Sequence, residues 1–106
     1  MNVLVIHGPN LNLLGVREPE VYGSVTMEEI NQGLVDKAAS HNIKIETFQS
    51  NAEHDLVNKI HEAKDANVKC IIFNPGAFTH SSIALRDALS GIDIPFIEVH
   101  ISNIYS

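Results

Sequence analysis

The stretch that decides the fold of this 106-residue chain is GPNLNLLGVREPEVYG, residues 8–23. It follows a short apolar run at residues 3–6, which is typical of a buried strand, and precedes Thr26, where a helix is predicted to begin. Strand-to-helix connections in α/β units usually contain only a few residues. A long one at the end of a first strand more often lines an active site than fills space. Its side chains able to contact a polar substrate are Asn10, Asn12, Arg17 and Tyr22.

The remainder of the chain alternates strand and helix patterns. Strands are predicted at residues 2–7, 43–48, 70–73 and 95–99, and helices at 27–41, from about 50 onward and at 81–90. Capping boxes are predicted at Thr26 with Glu29 and at Ser50 with Glu53, and Gly91 is predicted to follow the end of the third helix. This alternation predicts one α/β domain, with a parallel sheet covered by helices on both faces.

The composition of each strand indicates its place in the sheet. The 43–48 strand alternates apolar and polar residues, which favours an edge strand, whereas the 70–73 strand is continuously apolar and is expected to be buried on both faces. The 95–99 strand is also continuously apolar. Cys70 begins the third strand and is interpreted as a buried structural thiol.

Charge and composition exclude several classes of partner. The formal net charge of −6 argues against nucleic acid or an anionic membrane as the main partner. No apolar run approaches the length of a membrane span, so no membrane association is expected. A single cysteine allows no internal disulfide and indicates a reducing compartment, for which the cytoplasm is the natural choice. The net charge does not exclude a small anionic metabolite as a ligand, because such a ligand responds to the charges that line its pocket.

The polar clusters of the sequence follow the ends of predicted strands, which is where ligands bind in open parallel sheets. These clusters are Asn10 and Asn12 after the first strand, Asn74 to Gly76 and His80 after the third, and Glu98, His100, Ser102 and Asn103 at the fourth. The second strand ends in Gln49 and Ser50 and is interpreted as lying outside the site. A polar pocket at this edge is therefore predicted from the residues alone.

Two pairs of side chains in these clusters could perform acid–base chemistry. Arg17 close to Tyr22 would lower the phenol pKa from about 10 and allow Tyr22 to act as a base. The alternative is a surface loop with an ordinary turn. Glu98 lies two residues before His100, faces the same side of the strand and could orient the imidazole as a general acid. The alternative is a structural histidine.

Other kinds of site are less well supported. The chain has six histidines, but none combines with a carboxylate at zinc-motif spacing and the cysteine is isolated, so no metal is expected. His41, His54 and His61 are expected to be solvated. No dinucleotide fingerprint or phosphate-binding loop is present, and we expect no cofactor. His80 could either bind substrate or serve the start of the third helix.

Three separated motifs resemble the type II 3-dehydroquinate dehydratases. They are residues 8–15 with 17–19 and 22–23, residues 73–77 with 79–82, and residues 98–103. The resemblance covers the chain from end to end and implies a flavodoxin-like doubly wound parallel sheet, with strand order 2-1-3-4 and the fifth strand missing here. Family members continue with a further strand, a helix and a substrate-binding arginine. We therefore interpret residues 1–106 as a single catalytic domain that is truncated at the C-terminus.

The resemblance implies a hydro-lyase that reversibly dehydrates 3-dehydroquinate to 3-dehydroshikimate, in aromatic amino-acid biosynthesis or quinate breakdown. It implies that Tyr22 is the base, that Arg17 on a mobile lid favours its phenolate, and that Asn10 stabilises the enolate through a bound water. It implies that His100, oriented by Glu98, protonates the departing hydroxyl.

The resemblance also implies how the substrate is held and how the protein assembles. The implied substrate-binding residues are Asn74, His80, Asp87, Ile101 and Ser102. Asp87 is expected to reach the site of a neighbouring subunit, in trimers that assemble into a dodecamer.

Two alternatives lie outside this interpretation. One is a flavodoxin-like binding or signalling domain, which would need an acidic cluster near the first strand end or a phosphate-binding loop, and the sequence has neither. The other is a truncated dehydratase that folds but turns over poorly. Whether such a dehydratase is active or turns over poorly, the 95–99 strand is expected to be an exposed apolar edge of the sheet. Such an edge can pair with another chain, which lowers solubility.

Overall fold

Strands and helices alternate along the chain as the sequence predicts. The computed structural model describes residues 1–15, 24–76 and 83–100. Its elements are β1 (Asn2–His7), a 3-10 turn (Leu11–Leu13), α1 (Met27–Ala39), β2 (Lys44–Gln49), α2 (Glu53–Asp65), β3 (Cys70–Asn74), α3 (Ile83–Gly91) and β4 (Phe96–Glu98).

The four strands form one parallel sheet in the order β2-β1-β3-β4, which confirms the predicted order. β1 is central, and its Val5 is paired with Thr47 of β2 on one side and Ile72 of β3 on the other. Because all four strands run in the same direction, their carboxyl ends lie along one border of the sheet. This border is called the carboxyl edge, as distinct from the edge strands β2 and β4.

The sheet is packed on both faces, and β1 supplies residues to each. Leu4 and Ile6 are almost completely buried and pack with side chains of α2 and α3. Val3 and Val5 point to the opposite face, as does His7, whose ring contacts Asn31 of α1. The main core cluster comprises Leu4, Ile6, Leu56, Ile60, Ala63, Val68, Ile71, Phe73, Leu85, Ala88 and Leu89. The fold is therefore doubly wound, with α1 on one face and α2 and α3 on the other.

The prediction that the third strand is buried on both faces is wrong for one face. Ile71 and Phe73 are buried toward α2 and α3, but Ile72 and Cys70 are only half-buried. The reason is that, within the described residues, α1 is the helix on that face and it packs mainly near β2. Cys70 is accordingly half-buried and not the buried thiol that the sequence suggested.

The edge position of β4 agrees with expectation. In the described part of the chain β4 pairs only with β3, and Ile97 is 57% exposed. Phe96 and Val99 are also exposed. The apolar residues of this strand therefore form a surface edge.

Each of the three described helices is followed, within a few residues of its end, by an asparagine or aspartate with left-handed backbone. α1 stops at Ala39, short of the predicted His41, because Asn42 adopts φ 60° and Ile43 N–H turns back to Ala38 O at 2.9 Å. Asn67 has φ 59° just past α2. The prediction that Gly91 follows α3 is wrong, since Gly91 is the last helical residue and Asp93 adopts φ 60°.

The two predicted capping boxes have different outcomes. Thr26 Oγ1 accepts the N–H of Glu29 at 3.2 Å and caps α1 as expected. The prediction at Ser50 is wrong, because the residue preceding α2 is Ala52. Ser50 lies two residues earlier, where its Oγ accepts the N–H of Ala52 at 3.0 Å and donates to Asp55 Oδ2 at 3.1 Å.

We expect Gly8→Ala and Gly33→Ala to change stability in opposite directions. A Cβ on Gly8 would lie 2.1 Å from the carbonyl oxygen of Pro75, so alanine must separate the ends of β1 and β3 at a cost of roughly 1–3 kcal/mol. A Cβ on Gly33, within α1, meets nothing within 4 Å and should stabilise the helix by about 0.5–1 kcal/mol. Urea unfolding measures both, and equal stabilities for the two variants would contradict the close approach.

Candidate active site

The ends of β1, β3 and β4 are joined by backbone hydrogen bonds along one edge of the sheet. Gly8 N–H donates to Asn74 O at 2.8 Å, and Val99 N–H donates to Phe73 O at 2.8 Å. These two bonds place the turn at Asn10, the side chain of Asn74 and the segment carrying His100 along the same edge. The predicted convergence of polar clusters is therefore present for the residues that the structure describes.

The turn at Asn10 is supported by residues that follow β2. Asn10 has φ 69°, and its N–H donates to Asn51 Oδ1 at 3.0 Å. Gln49 Nε2 donates to that same oxygen and to Gly8 O, both at 3.1 Å. Amide side chains at and just after the end of β2 thus hold the start of the loop, while the interpretation that this end lies outside the site stays a prediction. Sequence reasoning missed Asn51, whose role depends on strand register.

The described residues on either side of the loop that carries Arg17 and Tyr22 lie next to each other. Gly15 has φ 78°, and a Cβ there would lie 2.6 Å from Ser24 O, so the two ends of the segment are in contact. Arg17 and Tyr22 themselves, and the expected lid, lie outside the described residues. Their proposed pairing stays a prediction.

Asn74 lies in a buried polar group with a residue that sequence reasoning overlooked. Asn74 is 2% exposed and His7 is 3% exposed. The ring of His7 contacts Asn31 Oδ1 through Nε2 at 3.0 Å and Asn74 Nδ2 through Nδ1 at 3.4 Å. The sequence feature that could have identified His7 is its position, because it ends the first strand directly before the loop of residues 8–23.

Glu98 and His100 are brought into direct contact, as predicted. His100 Nε2 lies 2.8 Å from Glu98 Oε2, while Arg86 Nη1 of α3 lies 3.1 Å from Glu98 Oε1. Among the described residues Oε1 has no well-aligned hydrogen-bond donor, so Arg86 holds it mainly by charge. The bond with His100 lowers the pKa of Glu98, burial opposes this, and the Arg86 charge lowers it further. Arg86 is a third residue, after Asn51 and His7, that sequence reasoning left without a role.

The other predicted residues divide into two groups. His80, Ile101 and Ser102 lie outside the described residues. Asp87 is exposed on α3, and the structure of one chain does not test its contact with a neighbour. His41, His54 and His61 are exposed, as expected.

Two other kinds of site are absent from the described ranges. Residues 1–15, 24–76 and 83–100 contain no cluster of three histidine, cysteine or acidic side chains that could hold a metal ion. In the same ranges, no helix has the length and apolar character needed to cross a bilayer.

A cavity of about 170 Å³ lies at the opposite edge of the sheet, near the amino ends of the strands. It is lined by Asn2, Val3, Lys44, Glu46, Ala66 and Val68. We place the candidate site at the carboxyl edge instead, because the acid–base pair and the buried amide are there.

Burial of His7 predicts a loss of stability in mild acid. Burial lowers the pKa of His7 from its ordinary value of 6.5, and the hydrogen bond with Asn31 opposes this only in part. The unfolded chain therefore binds a proton below pH 6.5 that the folded chain resists, so the free energy of unfolding falls as the pH drops from 6.5 toward the lowered pKa. Urea unfolding between pH 5 and 8 should show this slope, and His7→Asn should reduce it. An unchanged slope in the variant would contradict the assignment.

Comparison with known proteins identifies the family. The family model described as Dehydroquinase class II matches residues 1–106. A 3-dehydroquinate dehydratase of Proteus mirabilis is 59% identical over 105 residues, covering 99% of this chain and 71% of that protein. One of Acinetobacter baumannii is 60% identical over 104 residues, covering 98% and 69%.

Structural comparison agrees with the sequence matches. The crystal structure of a type II dehydroquinase from Butyrivibrio crossotus superposes with a TM-score of 0.91 at 47% identity, covering 98% of this chain and 72% of that one. Sequence similarity and the fold therefore extend along nearly the whole chain, and the chain belongs to the class II dehydroquinase family of enzymes.

Proposed function

We propose that this chain catalyses the reversible elimination of water from 3-dehydroquinate to give 3-dehydroshikimate. The observation that carries the proposal is the array of Arg86, Glu98 and His100 at the carboxyl edge of the sheet, in a chain of this family. An imidazole held by an ionised carboxylate is suited to delivering a proton to a leaving group.

The reaction needs a base, an enolate stabiliser and an acid. The base removes the proton next to the ketone, and the electron pair forms an enolate. The enolate then collapses, the carbon–oxygen bond beta to the ketone breaks, and the departing hydroxyl takes a proton and leaves as water. These steps are redox-neutral and consume no cofactor.

We assign the first half of the reaction to the loop that follows β1. Tyr22 is the base, and Arg17 favours its phenolate by charge. Asn10 stabilises the enolate through a bound water. The left-handed turn at Asn10, held by Asn51, supports this assignment because a fixed donor stabilises developing charge without reorganisation.

We assign the second half to His100. Glu98 Oε2 accepts the Nε2–H of the ring, so Nδ1 is the nitrogen that delivers the proton. The hydrogen bond from His100 and the charge of Arg86 both favour the ionised form of Glu98, and this carboxylate holds the imidazole in place for proton transfer.

We assign substrate binding to the hydroxyl- and carboxylate-binding groups around this pair. They are Asn74, His80, Ile101, Ser102 and the Asp87 of a neighbouring subunit. The last assignment implies a homo-oligomer, which we propose to be trimers within a dodecamer. We propose the cytoplasm as its location, since a single half-buried cysteine suits a reducing compartment.

Tyr22→Phe tests the proposed function, with Tyr105→Phe as a control at the second tyrosine of the chain. The change removes only the hydroxyl, so turnover should fall by roughly 10²–10⁴ while ligand binding survives. Absorbance of the enone formed from 3-dehydroquinate measures turnover, and calorimetry measures binding. Near-normal turnover in Tyr22→Phe, or equal losses in both variants, would remove Tyr22 from the mechanism. No turnover by the unmodified chain would contradict the proposed function itself.

A further inference from the structure

We propose that His7 is a positioning residue, which fixes the side-chain amide of Asn74 in the orientation that binds substrate. This inference rests on the substrate-binding role given to Asn74 under the proposed function. It concerns a residue that takes no part in the elimination and lies behind the site.

The first support is the place of His7 in the sheet. Strand register aligns His7 with Gln49 of β2 on one side and Asn74 of β3 on the other. The three side chains therefore form a polar row on the α1 face, at the last position of each strand. His7 and Asn74 are both at least 97% buried, so their hydrogen bonds form inside the protein and not with bulk water.

The second support is the direction of the hydrogen bonds. Asn31 Oδ1 can only accept, so the contact at 3.0 Å requires the proton to be on Nε2 of His7. A neutral ring with a proton on Nε2 has an unprotonated Nδ1 that accepts. Asn74 Nδ2 donates to that nitrogen at 3.4 Å. Asn31 thereby selects the histidine tautomer, and the tautomer selects the orientation of the Asn74 amide.

The orientation of the Asn74 amide decides whether its donor or its acceptor faces a ligand. An amide has a donor arm and an acceptor arm, and rotation by about 180° exchanges them. With Nδ2 directed at His7, Oδ1 is the arm on the far side, where it can accept a hydroxyl proton. The Asn74 backbone is held independently, because its carbonyl oxygen accepts Gly8 N–H at 2.8 Å. His7 thus controls the remaining side-chain rotation.

A purely structural role would satisfy buried groups without affecting substrate binding. Two variants of equal shape separate these roles. Asn and Leu branch identically at the γ position, but only Asn can offer an acceptor near the place of Nδ1. His7→Leu should raise KM for 3-dehydroquinate roughly tenfold, the effect of one lost or reversed hydrogen bond, with a smaller change in kcat. His7→Asn should recover most of that loss.

Nitrogen-15 NMR of the unmodified protein tests the same chain of bonds without any substitution. We expect His7 to be the Nε2–H tautomer, and Asn31→Leu to shift its ring signals toward a mixture of tautomers. An Nδ1–H tautomer in the unmodified protein would overturn the proposal, as would an unchanged KM in a folded His7→Leu variant. Equal KM values for the Leu and Asn variants would also overturn it. These outcomes differ from failure of the proposed function, in which the unmodified chain itself does not turn over 3-dehydroquinate.

Discussion

The close approach of Gly8 to Asn74 and Pro75 is the contact on which the candidate site depends. It follows from the parallel pairing of the two central strands, β1 and β3, and a Cβ at residue 8 would lie 2.1 Å from Pro75 O. The approach places residues 8–10, where the loop of residues 8–23 starts, beside the end of β3. A side chain at this position would push apart the two segments that carry Asn10 and Asn74.

Two polar groups flank this contact on opposite faces of the sheet. His7 aligns with Asn74 and faces α1, whereas Glu98 aligns with Phe73 and faces α3, from which Arg86 reaches it. Each group combines buried or half-buried polar atoms with partners that offset the cost of leaving water. In our account, one group holds the substrate rigidly and the other delivers a proton, and the substrate lies at the edge between them.

The sequence predicted the fold and the Glu98–His100 contact because both depend on local patterns. Alternating periodicity identifies strands and helices, and two residues along a strand face the same side. The sequence did not reveal the roles of His7, Asn51 and Arg86. Their partners are at least 12 residues away along the chain and contact them only through strand register or helix packing. The ends of α1 and α3 were misjudged for a different reason: Asn42 and Asp93 adopt left-handed backbone, and the sequence pattern identified neither residue as a helix stop.

Binding of substrate at the carboxyl edge of the sheet is tested most directly by NMR of the nitrogen-15-labelled protein. The titrant is 3-dehydroquinate, followed once the reaction has reached equilibrium with 3-dehydroshikimate. Our account predicts the largest amide shift changes at Asn10, Asn74 and His100. Changes confined to Asn2, Lys44 and Val68, which line the cavity at the opposite edge, would contradict it.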